Sequence, residues 1–439
     1  MKKFLKFIFV CFVIACVVFD GLLIWHRATP VNTFDIPSVA LNGESAMPVN
    51  GAWTTPTLMG YYSKKTPIYD PLLEDLSNKK DLGKIDATTL KLEKPSRASA
   101  QVVITKDPLT PQSLVIFNST DKIFESFEFS ENGKYNMAVF LTFEPTGAYD
   151  ALQLSYSFDF EIAVEPVIAF SQEDATQADI ICAYVDMGLS DLVPEISTEL
   201  GPATFIPTGD RQYTAFIPVG FAQTPGQYTV TVKADNIEES CRVKVNMKEY
   251  SEQHMTISTE TVEATHGVEG ANEDYARTIK ATYEIADNIK YWTEPFIQPV
   301  QGRISTEFGL YRYTNGSTTP TRHTGIDIAA PEGTNVPASN AGRVVFAGPV
   351  IITGNSVVIE HGGGLKTYYF HLSSLNVKEG DIVEQGDVIG KVGSTGYSTG
   401  PHLHFEVKLG EYPLSPWPLF DGTSAIYMSA EDAFAQSEE

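Results

Sequence analysis

The chain has 439 residues, 43% of them apolar and 20% charged, and a formal net charge of -24. These values describe a folded chain of two to four domains and exclude a disordered one. The acidity argues against nucleic acid as a partner, because phosphate contacts need a basic surface. The excess is uneven: residues 301–422 hold 8 Lys and Arg against 11 Asp and Glu, so most of the acid lies upstream or in the C-terminal tail.

Lys2, Lys3 and Lys6 stand ahead of an apolar run over residues 7–25, in which Asp20 is the one charged residue. A basic end before a stretch of near-bilayer length predicts a membrane anchor in residues 1–26, with the basic end in the cytoplasm. A cleaved export signal and a lipoprotein signal at Cys16 are the alternatives. All three put the body of the protein outside the cytoplasm, in the cell envelope or secreted. Residues 27–97 begin rich in Pro, Gly, Asn, Ser and Thr, and read as a spacer leading into a first β domain.

Residues 98–166 form that first β-rich accessory domain. Leu152, Leu154, Tyr156, Phe158, Phe160 and Ile162 alternate with Gln153, Ser155, Ser157, Asp159 and Glu161, the pattern of a strand with one buried and one wet face. Asn132-Gly133 predicts a two-residue hairpin turn. Residues 167–248 carry short strands between Pro and Gly turns, spaced as in a second, sandwich-like accessory domain. Neither block shows chemistry. Cys182 and Cys241 lie in no CxxC or Cys/His cluster; in an oxidising compartment they pair or stay as two buried thiols, and both readings stand.

Residues 249–294 read as a helical linker, because Tyr275, Ile279 and Tyr283 fall at i, i+4 and i+8 on one stripe. A compact β-rich domain then occupies residues 295–424, and an acidic tail follows at 425–439. The expected fold class is therefore mainly β, with a compact antiparallel C-terminal domain preceded by one or two sandwich-like domains and a connecting helix.

Five of the eight histidines fall in this last domain: His323, His361, His371, His402 and His404. In "GYSTGPHLHFEV", His402 and His404 are two apart in a strand-like run and share a face. In "RHTGIDIAAP", His323 and Asp327 are evenly spaced in a segment read as extended, which leaves them on one face as well. His371 ends the aromatic run "TYYFHLSSL". Three strands can thus aim polar groups at one point, as a Zn2+ site requires. Three protein ligands plus water make such a site catalytic. The candidates exceed three, so some histidines have another task, proton transfer or hydrogen bonding to a developing oxyanion. His361, at the glycine turn "IEHGGG", reads as structural.

At these residues the sequence resembles the lysostaphin/LytM-type zinc endopeptidases that cut peptide cross-bridges in bacterial peptidoglycan. The resemblance spans residues 295–420 through "FGLYR", "HTGIDIAAPEGTNVPASNAGRVVFAG", "NSVVIEHGGGLKTYYFHLSSL", "VKEGDIVEQGDVIGKVGSTG" and "TGPHLHFEV". It implies a compact antiparallel β domain with its site in a groove across the sheet, and one zinc held by His323, Asp327 and His404. It also implies His371 and His402 as catalytic histidines, and stem or cross-bridge peptides of peptidoglycan as substrate. Two features depart from the family pattern: the polar stretch "YTNGSTTPT", and Phe370 where a small residue is usual. The run "VKEGDIVEQGDVIG" reads as hairpin punctuation, and lipoyl and biotinyl carriers share such a hairpin. A non-catalytic envelope binding module is therefore the rival class. A carrier would need a modifiable lysine at an exposed hairpin tip, whereas Lys391 lies beyond the turn, and a carrier, binding module or regulator alike leaves the histidines unexplained. No protein partner is indicated.

Overall fold

The alternating run of the first β block forms the strand Ala151–Ile162, which buries Leu152, Leu154, Tyr156, Phe158, Phe160 and Ile162 and leaves the intervening side chains in partial contact with solvent. The structure, a computed structural model, describes residues 1–28, 35–57, 62–67, 78–110, 113–119, 125–146 and 149–437. The chain divides into two units, Met1–Glu165 and Pro166–Glu439.

In the first unit a helix, Lys2–Ala28, is long and apolar enough to cross a membrane by length and composition. Ala151–Ile162 sits inside a seven-stranded sheet between Asn50–Thr57 and Gly133–Phe143, and Lys80–Ile85 pairs with it in parallel. Strands therefore begin well inside the expected spacer, although residues 29–34, 58–61 and 68–77 of that spacer lie outside the described residues. The expected hairpin at Asn132-Gly133 is not formed. Ser126–Glu128 before it pairs with Thr89–Glu93, while Gly133–Phe143 after it pairs with Ala98–Lys106 and Ala151–Ile162. The Asn132 side chain instead clamps the far end of the sheet, exchanging hydrogen bonds with the backbone of Val164 at 2.9 and 3.0 Å.

The second unit begins with a sandwich. One sheet orders Val167–Phe170, Ile180–Asp186, Gln212–Pro218 and Phe205–Gly209; the other orders Asp174–Thr176, Ile237–Asn246, Gly226–Ala234 and Glu195–Thr198. Ile180–Asp186 is apolar on both faces. Ile181, Ala183 and Val185 enter the sandwich core, while Ile180, Cys182 and Tyr184 enter the core of the C-terminal domain. Phe216 and Ile206 join that second cluster, where Trp292 packs 6.2 Å from Phe216 and 5.7 Å from both Phe296 and Tyr427. The sandwich and the domain after residue 295 consequently share one core. Cys182 and Cys241 are both free and buried, in different clusters.

Residues 249–294 are more than a linker. Glu252–Met255 is a strand pairing in parallel with Tyr311–Thr314, where the motif "FGLYR" runs into the polar stretch. The helix Ala271–Thr278 ends sooner than the stripe implies and continues as the 3-10 turn Lys280–Glu284. Tyr275, Ile279 and Tyr283 still share a face, packed on Val345, Val350, Val358, Tyr368 and Phe370 of the C-terminal sheet. The acidic tail also docks: Ala430–Ser437 is a helix with Ala433 buried, and the Tyr184 hydroxyl donates to the carbonyls of Ala425 and Met428 at 3.0 and 3.1 Å.

The C-terminal domain is an eight-stranded antiparallel sheet. Its order is Arg303–Thr306, Ile326–Ala329, His402–Leu409, Leu365–Leu372, Gly354–Glu360, Gly342–Val350 and Ile382–Val383, with Tyr412–Leu414 paired to His402–Leu409. The expected carrier-like hairpin is absent, since Ile382–Val383 joins this sheet while Val388–Lys391 pairs with Asn335–Pro337 and Ser374–Leu375.

Candidate active site

Three adjacent central strands carry the site. In the His402–Leu409 strand, alternation puts His402, His404 and Glu406 on one face, and register pairs His404 with Asp327 on one side and Phe370 on the other. His323 is not in one extended segment with Asp327: it precedes the strand Ile326–Ala329, and the chain turns between them. Gly325 makes this approach possible, because a Cβ there would lie 2.2 Å from the Phe405 carbonyl oxygen. His371, next to last in the strand Leu365–Leu372, has φ 64°, a left-handed conformation rare for a non-glycine residue.

The result is a buried convergence. His323 Nε2, Asp327 Oδ1 and His404 Nδ1 stand 3.1, 3.0 and 2.7 Å apart pairwise. Among the described residues these three form a group that could hold a metal ion. The other nitrogen of each ring is already engaged. His323 Nδ1–H donates to the Glu307 carbonyl at 2.9 Å, and His404 Nε2–H donates to Glu406 Oε1 at 3.0 Å. A carbonyl or carboxylate can only accept, so these bonds fix which nitrogen faces inward, the usual arrangement around metal-ligating histidines. Asp327 Oδ2 takes a hydrogen bond from Arg312 at 3.0 Å, which leaves Oδ1 for the centre.

His371 and His402 lie beside this group, their rings 4.9 Å apart, with His402 Nε2 3.7 Å from Asp327 Oδ1. His371 Nδ1–H donates to the Thr395 carbonyl at 2.8 Å and His402 Nδ1–H to the Gly400 carbonyl at 2.7 Å, so in each ring Nε2 is the nitrogen left for the centre. Phe370 stacks parallel on His404 at 5.6 Å, which accounts for a large residue before His371. His361 is buried away from the centre and bonds Ala341 O and Thr367 Oγ1.

Electrostatics follow burial. Burial, with the nearby His402 and His404, pushes His371 down to about 3, so it is neutral at ordinary pH. Burial also lowers His323, against the opposing pull of Asp327. Burial alone would lower His404 and raise Asp327, but Asp327 and Glu406 outweigh it at His404, and His323 followed by His404 outweigh it at Asp327. His404 is raised to about 9 and Asp327 held well below the carboxylate range.

Over residues 321–416, which include Asp327 and all five histidines, the chain matches Peptidase family M23. The C-terminal domain belongs to that family. The chain is 44% identical over 144 residues to the DD-carboxypeptidase/endopeptidase Mpg of Neisseria meningitidis, which is 33% of each chain. It is 42% identical over 113 residues to the peptidoglycan DD-endopeptidase ShyA of Vibrio cholerae, 26% of each. The chain thus spans about a third or less of these relatives' lengths. A solved catalytic domain of lysostaphin from Staphylococcus simulans is 37% identical over 27% of this chain and 90% of that one, with a TM-score of 0.25.

Three residues around the M23 site carried no signal readable from spacing alone. Arg312 belongs to "FGLYR" but contacts Asp327 only through the fold. Arg322 packs its guanidinium 4.4, 4.3 and 4.8 Å from the rings of Phe221, Tyr250 and Tyr311, which anchors the neighbouring His323 against the sandwich. His266, an isolated polar histidine in the sequence, meets Tyr397 edge-on at 4.6 Å and lines the groove over the site, whose volume is about 760 Å³.

Proposed function

We propose that the protein is a zinc-dependent endopeptidase that hydrolyses peptide cross-bridges of bacterial peptidoglycan from the exported side of the membrane. One observation carries the reading: two imidazoles and one carboxylate converge with their outer atoms already satisfied, beside two further imidazoles that face the same groove. Two nitrogens and one oxygen suit zinc, and three protein ligands leave a position for water or substrate. The substrate class rests on the activities named for Mpg and ShyA, and the attachment on the apolar helix Lys2–Ala28.

In this reading His323, Asp327 and His404 would hold the ion, and the Arg312 hydrogen bond to Oδ2 keeps the Asp327 carboxylate aimed. Zinc, when bound, polarises the scissile carbonyl and makes water a nucleophile near neutral pH. His371 and His402 handle protons. Each is held by a carbonyl at Nδ1 and offers Nε2 to take a proton from the attacking water and return it to the leaving amine. Burial keeps His371 neutral, which leaves its Nε2 free to accept a hydrogen bond from water but makes it a weaker base than an exposed imidazole.

The test is digestion of purified peptidoglycan by the full-length protein, with mass spectrometry of the released ends and metal analysis. His323→Ala, Asp327→Ala and His404→Ala should each lose zinc. His371→Ala and His402→Ala should keep it while hydrolysis falls by about two to four orders of magnitude. Undiminished zinc in all three ligand variants sinks the assignment, and retention of peptidoglycan without new amino ends favours the binding-module class.

A further inference from the structure

The His404–Glu406 hydrogen bond does not end the network. Glu406 Oε2 pairs with Lys408 Nζ at 2.8 Å, and Lys408 is itself buried in the sheet. Lys408 Nζ then donates to the Tyr283 hydroxyl at 3.0 Å and lies over the rings of Tyr283 and Tyr368 at 4.9 and 5.0 Å. Tyr283 in turn lies 3.4 Å, hydroxyl to hydroxyl, from Tyr275. Tyr275 and Tyr283 belong to the helix and 3-10 turn across residues 271–284, outside the family match at 321–416.

A buried ammonium needs its donors satisfied, and a buried carboxylate needs its charge balanced. Glu406 divides its oxygens, with Oε1 accepting from His404 and from the Thr324 hydroxyl and Oε2 facing Lys408. If Lys408 loses its other acceptor, it draws harder on Glu406, and the carboxylate shifts off the His404 axis. We propose that Tyr283 is a positioning residue for the metal centre, acting through Lys408 and Glu406 to hold the His404 imidazole with Nδ1 facing inward. The packed segment 271–284 thereby completes the metal site from outside the peptidase domain. This rests on the metal reading of His404 given above.

Tyr283→Phe in the full-length protein keeps the ring and removes the hydroxyl. Its zinc Kd, measured by chelator competition, should rise about tenfold, the lower end of the range for groups that orient metal ligands. Thr282→Val serves as the comparison. It cuts the 3.2 Å contact between Thr282 Oγ1 and the Tyr368 hydroxyl but leaves the Glu406 and Tyr283 contacts of Lys408 in place. It should lower Tm while the zinc Kd stays at the parent value. In metal-free protein the 15N resonances of the His404 ring should shift in Tyr283→Phe and not in Thr282→Val. A parent-like Kd with unshifted His404 resonances in Tyr283→Phe overturns the proposal, as does equal weakening in both variants. If the parent takes up no zinc, the metal reading fails, and the His404 resonances still decide whether Tyr283 positions the ring.

Discussion

His404 has two carboxylate neighbours and one metal to serve, and this sets its behaviour with pH. In the metal-free protein its folded pKa of about 9 lies above the ordinary value of 6.5. The raised value means that protonated His404 contributes stability fully below 6.5, and that this contribution is lost as pH rises through about 9. Zinc must displace that proton from Nδ1. Binding at pH 7 should therefore release close to one proton, and affinity should climb with pH until it levels off near 9. Calorimetric titration in buffers of different ionisation heat reads the proton directly. Uptake without proton release would show that His404 is already neutral. His371, pushed down to about 3, adds no titration in this window.

Among the elements, the double-faced strand Ile180–Asp186 has the largest consequence. Its sequence "IICAYV" is a continuous apolar run, the signature of burial on both sides rather than of a sandwich strand with one wet face. One face closes the sandwich and the other closes the C-terminal domain against Trp292, so the boundary expected at residue 295 cuts through a core. Trp292→Ala should cost about 3–5 kcal/mol, as for other buried aromatic truncations. A fragment beginning at 295 should lack a cooperative transition, whereas one beginning at Pro166 should unfold in a single step by both fluorescence and circular dichroism. Cooperative unfolding of the shorter fragment with the parent Tm would mean that the shared core is dispensable. The stripe Tyr275, Ile279 and Tyr283 was legible in the sequence as a helix face. What it packs against was not, because the partners Tyr368 and Phe370 come from a strand about ninety residues later.

For the whole molecule, attachment is a matter of apolar burial rather than charge. The net charge of -24 is concentrated away from the peptidase domain and should repel anionic wall polymers. The helix Lys2–Ala28 supplies the alternative, since burial of an apolar helix in lipid is insensitive to screening. Full-length protein should stay with membranes through a high-salt wash, and a chain starting near residue 29 should be soluble and still hydrolyse peptidoglycan fragments. Native protein found free in the medium, with its N-terminus past Trp25, would identify the helix as a cleaved signal instead. A lipid-modified Cys16 at the mature N-terminus would identify a lipoprotein.

The sequence by itself determined what period and residue type encode. The alternation of Ala151–Ile162, the apolar helix, the shared face of His402 and His404, and the family resemblance of residues 295–420 are all local patterns. Tertiary structure decided what depends on partners distant in the chain. Which ring nitrogen faces inward is set by Glu307, Glu406, Thr395 and Gly400, three of them through backbone carbonyls that any residue type would supply. The hairpin that Asn132-Gly133 does not form was decided the same way, because both flanking strands find other partners. So was the pairing of Lys408 with Tyr283. A buried ammonium needs its donors satisfied, and beyond its ion pair with Glu406 the further acceptor arrives from 125 residues away.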